Sequence, residues 1–144
     1  KKQKETKVLV TGAFDVLHQE HKKFLQAAKR AGDYLVIGLE SDFRVKKIKG
    51  VQRPVFTQDK RKKNLEKWHI ADEIFILPSK FGSIKDHLSL IKKVNPDILA
   101  VSEHTSHLAR KRKILKKIGG EVRVVRNHNP DFSTTKSLQK SNIS

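Results

Sequence analysis

The sequence predicts an α/β domain: a doubly wound, Rossmann-like five-stranded parallel sheet with helices on both faces. Three observations predict it. Short, nearly continuous apolar runs recur at residues 8–10, 34–39, 73–77, 98–101 and 122–125, as expected of strands covered on both faces. Between most of them lie stretches whose apolar residues recur at helical spacing. The strand-helix order never breaks, so neighbouring strands run parallel through right-handed crossovers. Ligands of such sheets bind outside the carboxyl ends of the strands, where the strand order reverses.

The first strand, Val8, Leu9 and Val10, runs through Thr11 into a turn at Gly12. A helix follows over 17–30, with Leu17, His21, Phe24, Leu25 and Ala28 on one face and Gly32 as its stop. Asp33 leads into the strand at 34–39. The segment from Ser41 to Pro54, rich in charge and closed by Gly50 and Pro54, reads as a long loop over the carboxyl edge of the sheet. Thr57 caps a helix past Arg61, Leu65 and Trp68 to about His69, and the third strand covers 73–77. From Ser83 a helix carries Ile84, Leu88, Ile91 and Val94, and it stops before Asn95 and Pro96. The fourth strand spans 98–101. A fourth helix over 106–118 ends at Gly119 and Gly120, before the last strand at 122–125. In the tail, Asn-His-Asn-Pro-Asp makes a turn and Ser133 stands as the N-cap of a short helix. Such an end presents free N–H groups and binds phosphate.

Composition bounds the function. A chain of 144 residues is one domain's worth, able to bury roughly two-thirds of its unfolded surface. We expect a single domain over 1–144, with a basic N-terminal tail at 1–6 and a C-terminal turn and short helix at 127–144. Nowhere are 18 apolar residues consecutive, and the apolar run after the basic start is too short for a signal peptide. The expectation is a soluble, cytoplasmic protein with no membrane partner. The missing methionines, an initiator included, suggest a trimmed chain. Zero cysteines exclude disulfides, thiolate metal sites and a cysteine nucleophile. The net charge of +17 attracts anions. Nucleic acid is an unlikely partner, because the few aromatic residues are scattered and form no stacking platform between the basic clusters.

The chemistry concentrates after the first strand. Asp15 and two histidines three positions apart, His18 and His21, stand where the helical pattern begins, which puts both imidazoles on one face of a first helical turn. Each can donate a hydrogen bond to an oxygen of one phosphate, and the helix end adds its partial positive charge. One core histidine and one surface histidine is the plain alternative. The single glycine of this turn and the lack of a following Gly-Lys-Ser/Thr exclude a dinucleotide fingerprint and a Walker loop.

From Thr11 to His21 the chain resembles the cytidylyltransferase-like family of nucleotidyltransferases, whose pattern is T-x-G-x-F-D-x-x-H-x-G-H, with matches at Phe14, Asp15, His18 and His21. Matches continue at Ala28, Lys29, Gly32, Asp33, Ser41, Asp42, Lys49, Gly50, Arg53, Pro54, Arg61 and the Ala-Asp-Glu-Ile of 71–74, and Ser133, Thr134 and Thr135 resemble the closing S-T-T. The resemblance covers about residues 7–77 and 131–139. Its K-G-x-x-R-P segment is nearest the heptose-phosphate adenylyltransferase branch, and glycerol-phosphate cytidylyltransferases share the closing motif.

The resemblance implies transfer of a nucleoside monophosphate from CTP or ATP to a small phosphorylated acceptor, a sugar, polyol or amino-alcohol phosphate, with release of pyrophosphate and no covalent enzyme intermediate. His18 and His21 would stabilise the transferring phosphoryl oxygens. The backbone at Gly12, Ala13 and Phe14 would cradle phosphates or ribose. Lys46 or Lys49 would reach the β- and γ-phosphates or the acceptor, and Ser133, Thr134 and Thr135 would bind the nucleotide's phosphates. Thr11, Arg61 and Asp15 complete the expected nucleotide contacts, with capping of the turn as the equal alternative for Asp15. Mg²⁺ would accompany the triphosphate without a carboxylate cage of its own, and a homodimer is implied.

Two departures bear on this reading. The glycine between the motif histidines is Glu20 here. A carboxylate facing the phosphates would repel them, whereas one lying along the helix toward Lys23 would not. After the fourth strand, where relatives carry a Gly-Asp type turn, this chain has Ser102 to His107. His104 and His107 either begin a helix or join His18, His21 and Glu20 in a metal site. The competing functions are a non-catalytic nucleotide-binding module of the same fold and a nucleic-acid-binding protein.

Overall fold

The computed structural model describes residues 5–125. Five parallel strands, β1 (Lys7–Gly12), β2 (Tyr34–Leu39), β3 (Glu73–Ile76), β4 (Ile98–Val101) and β5 (Glu121–Val124), form one sheet in the order β3-β2-β1-β4-β5. β1 pairs with β2 over its whole length, from Lys7 opposite Tyr34 to Gly12 opposite Leu39, and with β4 on its other edge. The order reverses between β1 and β4, which opens the crevice where doubly wound sheets take ligands.

Alternate residues of the strands supply two separate cores. Val8, Val10, Leu35, Ile37, Leu39, Ile98 and Ala100 pack under helices α1 (Gln19–Arg30) and α3 (Gln58–Glu66) through Leu25, Ala28 and Leu65. On the opposite face Leu9, Val36, Leu99, Val101 and Val122 pack under α4 (Ile84–Val94) and α5 (Leu108–Lys117) through Leu90, Ile91, Ile114 and Leu115. Each fully buried leucine contributes about 1.5–3 kcal/mol, and burial on both faces explains the unbroken apolar runs.

The segment after β2 departs from the expected loop. Residues Asp42–Lys49 form a further helix, α2, whose N-cap Ser41 accepts a hydrogen bond from the Arg44 N–H at 3.1 Å and whose end is Gly50 at φ 110°. Only Val45 of this helix is buried, so it shows no apolar stripe. Its signals are the capping serine and the glycine stop. The described residues therefore hold five helices where four were expected. Other ends moved by a residue or more. The first helix begins at Gln19, α3 stops at Glu66 and α5 spans Leu108–Lys117. Asn95 ends α4 in the left-handed conformation at φ 50°, just before the proline that marked the stop.

Candidate active site

His18 is not inside a helical turn. It is the N-cap of α1 and builds a capping box in which its Nδ1 accepts from the Glu20 N–H at 3.1 Å, while its own N–H donates to His21 Nδ1 at 3.3 Å. A histidine pair thus does what a serine and a glutamate do in the common box. With both Nδ1 atoms accepting, each neutral ring carries its proton on Nε2. The rings lie 4.0 Å apart between centroids, tilted by 31°, and Phe14 meets His21 edge-on at 5.5 Å. His18 Nε2 is buried and has no hydrogen-bond partner among the described residues.

Desolvation, then the charges of His18 and Lys49, hold the His21 pKa down at about 4. Desolvation also lowers that of His18, against the opposing charge of Glu20. Both rings are neutral Nε2–H donors at neutral pH. Lys49, the last residue of α2, has its pKa lowered by desolvation and then by Arg53, with Asp15 acting in the opposite sense. His18, His21, Lys49, Arg53 and Asp15 therefore converge at the carboxyl end of β1, although they come from three segments of the chain. Lys46 is exposed one turn earlier on α2.

Two of the expected nucleotide contacts serve other ends. Arg61 is completely buried, and its guanidinium donates to Ala13 O and Glu40 O at 2.9 Å, Phe56 O at 3.1 Å and Asp42 Oδ1 at 2.8 Å. It ties the β1–α1 turn to the turn after β2 and to the loop before α3, so its expected role as a nucleotide contact is corrected to that of a strut. Asp15, also buried, accepts from the N–H groups of Val55 and Phe56 at 2.7 and 2.9 Å and lies 3.4 Å from Arg53 Nε. It therefore caps a loop 40 residues away rather than its own turn, a structural use that neither of its expected readings named. The pair shapes the loop that carries Arg53, a residue of the K-G-x-x-R-P segment that was not singled out for the site.

Gly12 makes room for packing: a Cβ there would stand 2.9 Å from the Phe14 ring. Its carbonyl accepts from Glu40 N–H at 3.0 Å and that of Ala13 from Arg61, so both carbonyls of the turn are engaged within the protein. Phe14 is buried at φ 44°. Thr11 lies on the α4/α5 face with Leu9 and Val101. Ser133, Thr134 and Thr135 lie outside the described residues.

Glu20 lies along the helix, its Oε2 3.9 Å from Lys23 Nζ. His107 is the N-cap of α5, at φ 54° and without a side-chain cap bond, and His104 is exposed. Among the described residues no group of three or more His, Cys, Asp or Glu could hold a metal ion, so the two histidine pairs and Glu20 do not assemble into one site. No helix of the described residues is long and apolar enough to cross a membrane.

Comparison with known proteins gives a consistent picture. The family model described as Cytidylyltransferase-like matches residues 9–144. A protein of Campylobacter fetus named Bifunctional protein HldE is 42% identical over 95 residues, 66% of this chain and 20% of its own length. Its namesake in Rhodopseudomonas palustris is 37% identical over 131 residues, 90% of this chain and 26% of its own. The chain thus spans about a fifth to a quarter of the curated relatives it matches. Among solved structures, the lipopolysaccharide core biosynthesis protein from Thermoplasma volcanium superposes with a TM-score of 0.70 at 24% identity, covering 88% of this chain and 98% of that one. A pantoate-beta-alanine ligase from Francisella tularensis superposes with a TM-score of 0.65 at 12% identity, over 96% of this chain and 69% of its own. These two likenesses concern the fold.

Proposed function

The chain belongs to the cytidylyltransferase-like family, and from that premise we propose that it transfers a nucleoside monophosphate from ATP or CTP to a small phosphorylated acceptor, with release of pyrophosphate. The observation that carries this is the hydrogen bonding of His18 and His21. Their own backbone turn occupies both Nδ1 atoms, which leaves two neutral Nε2–H donors side by side, one of them buried without a partner among the described residues. A buried unsatisfied donor costs about 1–3 kcal/mol, and a phosphoryl oxygen offsets that cost.

An oxygen of the acceptor's phosphate attacks the α-phosphorus in line, the bond from that phosphorus to the oxygen bridging to the β-phosphate breaks, and pyrophosphate leaves with the electron pair. No proton need move, so the protein's part is positioning and charge. His18 and His21 donate to the oxygens of the transferring group. Lys49, its ammonium near His21 and Arg53, balances the charge that builds on the leaving pyrophosphate. The backbone of the turn at Gly12, Ala13 and Phe14 would cradle the phosphates, and Lys46 would reach them from α2. Ser133, Thr134 and Thr135 would add the last phosphate contacts, and Mg²⁺ would arrive with the triphosphate.

The resemblance of the segment from Lys49 to Pro54 to adenylyltransferases favours ATP. We read the protein as a cytoplasmic homodimer. The triphosphate substrate supports the compartment, and the exposed Phe43, Ile48, Val51 and Val55 support a covering second copy. The test is pyrophosphate release with each triphosphate, Mg²⁺ and a panel of sugar, polyol and amino-alcohol phosphates. Release abolished by His18→Ala is the expected result. Tight nucleotide binding with no release under any acceptor sinks the reading, and steeply salt-dependent binding to nucleic acid redirects it.

A further inference from the structure

The α4/α5 face of the sheet holds a cavity of about 30 Å³ that the transfer step above does not use. Its walls are largely apolar, Leu9, Leu99 and Ile114 among them, and its polar lining comes from three elements: Thr11 of β1, His87 of α4 and Lys111 of α5. Thr11 is the next-to-last residue of β1, so the cavity reaches the carboxyl end of the strand that leads to the His18 turn.

Its electrostatics are one-sided. Lys111 Nζ donates to Thr105 Oγ1 at 2.7 Å, which leaves further N–H bonds of an ammonium to be made. Arg44 of α2 and His107 of α5 are near enough that, with Lys111, their charges act on His87. Arg44 pairs with Glu40 at 3.9 Å, its buried Nε making no hydrogen bond among the described residues, and the guanidinium fills the space a Cβ at Gly82 would take. The acid that acts on His87 is Asp86, and its carboxylate already accepts from the N–H groups of Gly82 and Ser83 at 3.0 and 2.9 Å. Lys111, partly desolvated and bonded to a neutral hydroxyl rather than a carboxylate, gains from an incoming anion.

We propose that the Thr11, His87 and Lys111 cavity is a second subsite for the acceptor, holding an anionic group, carboxylate or phosphate, at the end remote from the attacking phosphate. The inference rests on the transfer reading above and narrows its substrate class, from phosphorylated polyols in general to phosphorylated sugar acids or sugar bisphosphates. An apolar wall with three donors orients such a group and gives a hydroxyl end much less.

Calorimetric binding to the full chain tests this with matched probes: glycerol 3-phosphate against 3-phosphoglycerate, glucose 6-phosphate against 6-phosphogluconate, and fructose 6-phosphate against fructose 1,6-bisphosphate. The first two pairs probe a carboxylate and the third a phosphate. At least one doubly anionic member binds tenfold or more tightly than its match. Lys111→Gln removes that preference and leaves the neutral-ended member unchanged, whereas Lys111→Arg and the control Lys113→Gln on the outer side of α5 keep it. Pairs that all agree within twofold, or a preference that survives Lys111→Gln, overturn the proposal. Pyrophosphate release is read separately. Transfer without any preference defeats this inference alone, and a Lys111-dependent preference without transfer under any condition defeats the transfer reading alone.

Discussion

Replacing Arg61 with methionine separates a strut from a nucleotide ligand. The side chain is completely buried, and four hydrogen bonds of 2.8–3.1 Å run from it to three carbonyls and to Asp42. Methionine fills most of the volume but leaves the carbonyls of Ala13, Glu40 and Phe56 without their donor. Each unpaired buried acceptor costs about 1–3 kcal/mol. Water reaching the edge of the sheet recovers part of that, and Asp42, 40% exposed at its side chain, rehydrates. The expected loss is therefore about 3–5 kcal/mol, the range for removing one partner of a buried charged network. With a urea slope of about 2 kcal/mol/M, the unfolding midpoint falls by about 2 M. Equilibrium urea unfolding followed by tryptophan fluorescence measures this, with nucleotide affinity determined in the same preparations. A change below about 1 kcal/mol, accompanied by a tenfold weaker nucleotide affinity, would refute the strut and restore Arg61 to the nucleotide site.

Three further outcomes follow from the histidine pair and its neighbours. The folded His21 pKa of about 4 lies below the ordinary histidine value of 6.5, so the unfolded chain binds the extra proton between those values. The His21 contribution is fully present above pH 6.5 and is lost as pH falls toward 4, by on the order of 1–2 kcal/mol after discounting for solvent screening. Thermal melts from pH 7.5 to 4.5 show a shallower decline in His21→Gln, and parallel curves would count against it. His18→Asn keeps a good N-cap but loses the imidazole donor. Its urea midpoint stays near wild type while pyrophosphate release drops about 100-fold, and equal losses of stability and activity would make His18 merely structural. Glu20→Gly restores the motif's glycine at a cost of about 1 kcal/mol of helix stability without raising turnover more than about twofold, because Glu20 lies toward Lys23. A tenfold gain in turnover would place its carboxylate at the phosphates.

What was legible in the sequence is what local chemistry controls. The strands at 34–39 and 98–101 have the predicted bounds, because a strand covered on both faces must be apolar throughout. Thr57 caps the helix it was expected to cap, and Ser83, from which the next helix was expected to run, is that helix's N-cap, each accepting from the N–H three residues on. Helix α2 escaped because one buried residue, Val45, leaves no periodic stripe to read. His18 and His21 stood out through their spacing and their place after the first strand. The way they act did not, since a histidine pair capping a helix with both Nδ1 atoms has no sequence signature apart from its backbone geometry.

By itself the sequence determined the parallel α/β architecture and the segment that carries the chemistry, for hydrophobic pattern and capping chemistry act over a few residues. Only the tertiary structure decided the roles of charged residues far apart in the chain. Arg61 and Asp15 bind loops because the fold buries them among backbone groups 40 and more residues away. Lys49 meets His21, and Lys111 meets His87, because parallel strands in the order β3-β2-β1-β4-β5 bring successive loops to one edge of the sheet. A charge has the same letter whether it is buried or solvated, and its partners are a property of the fold.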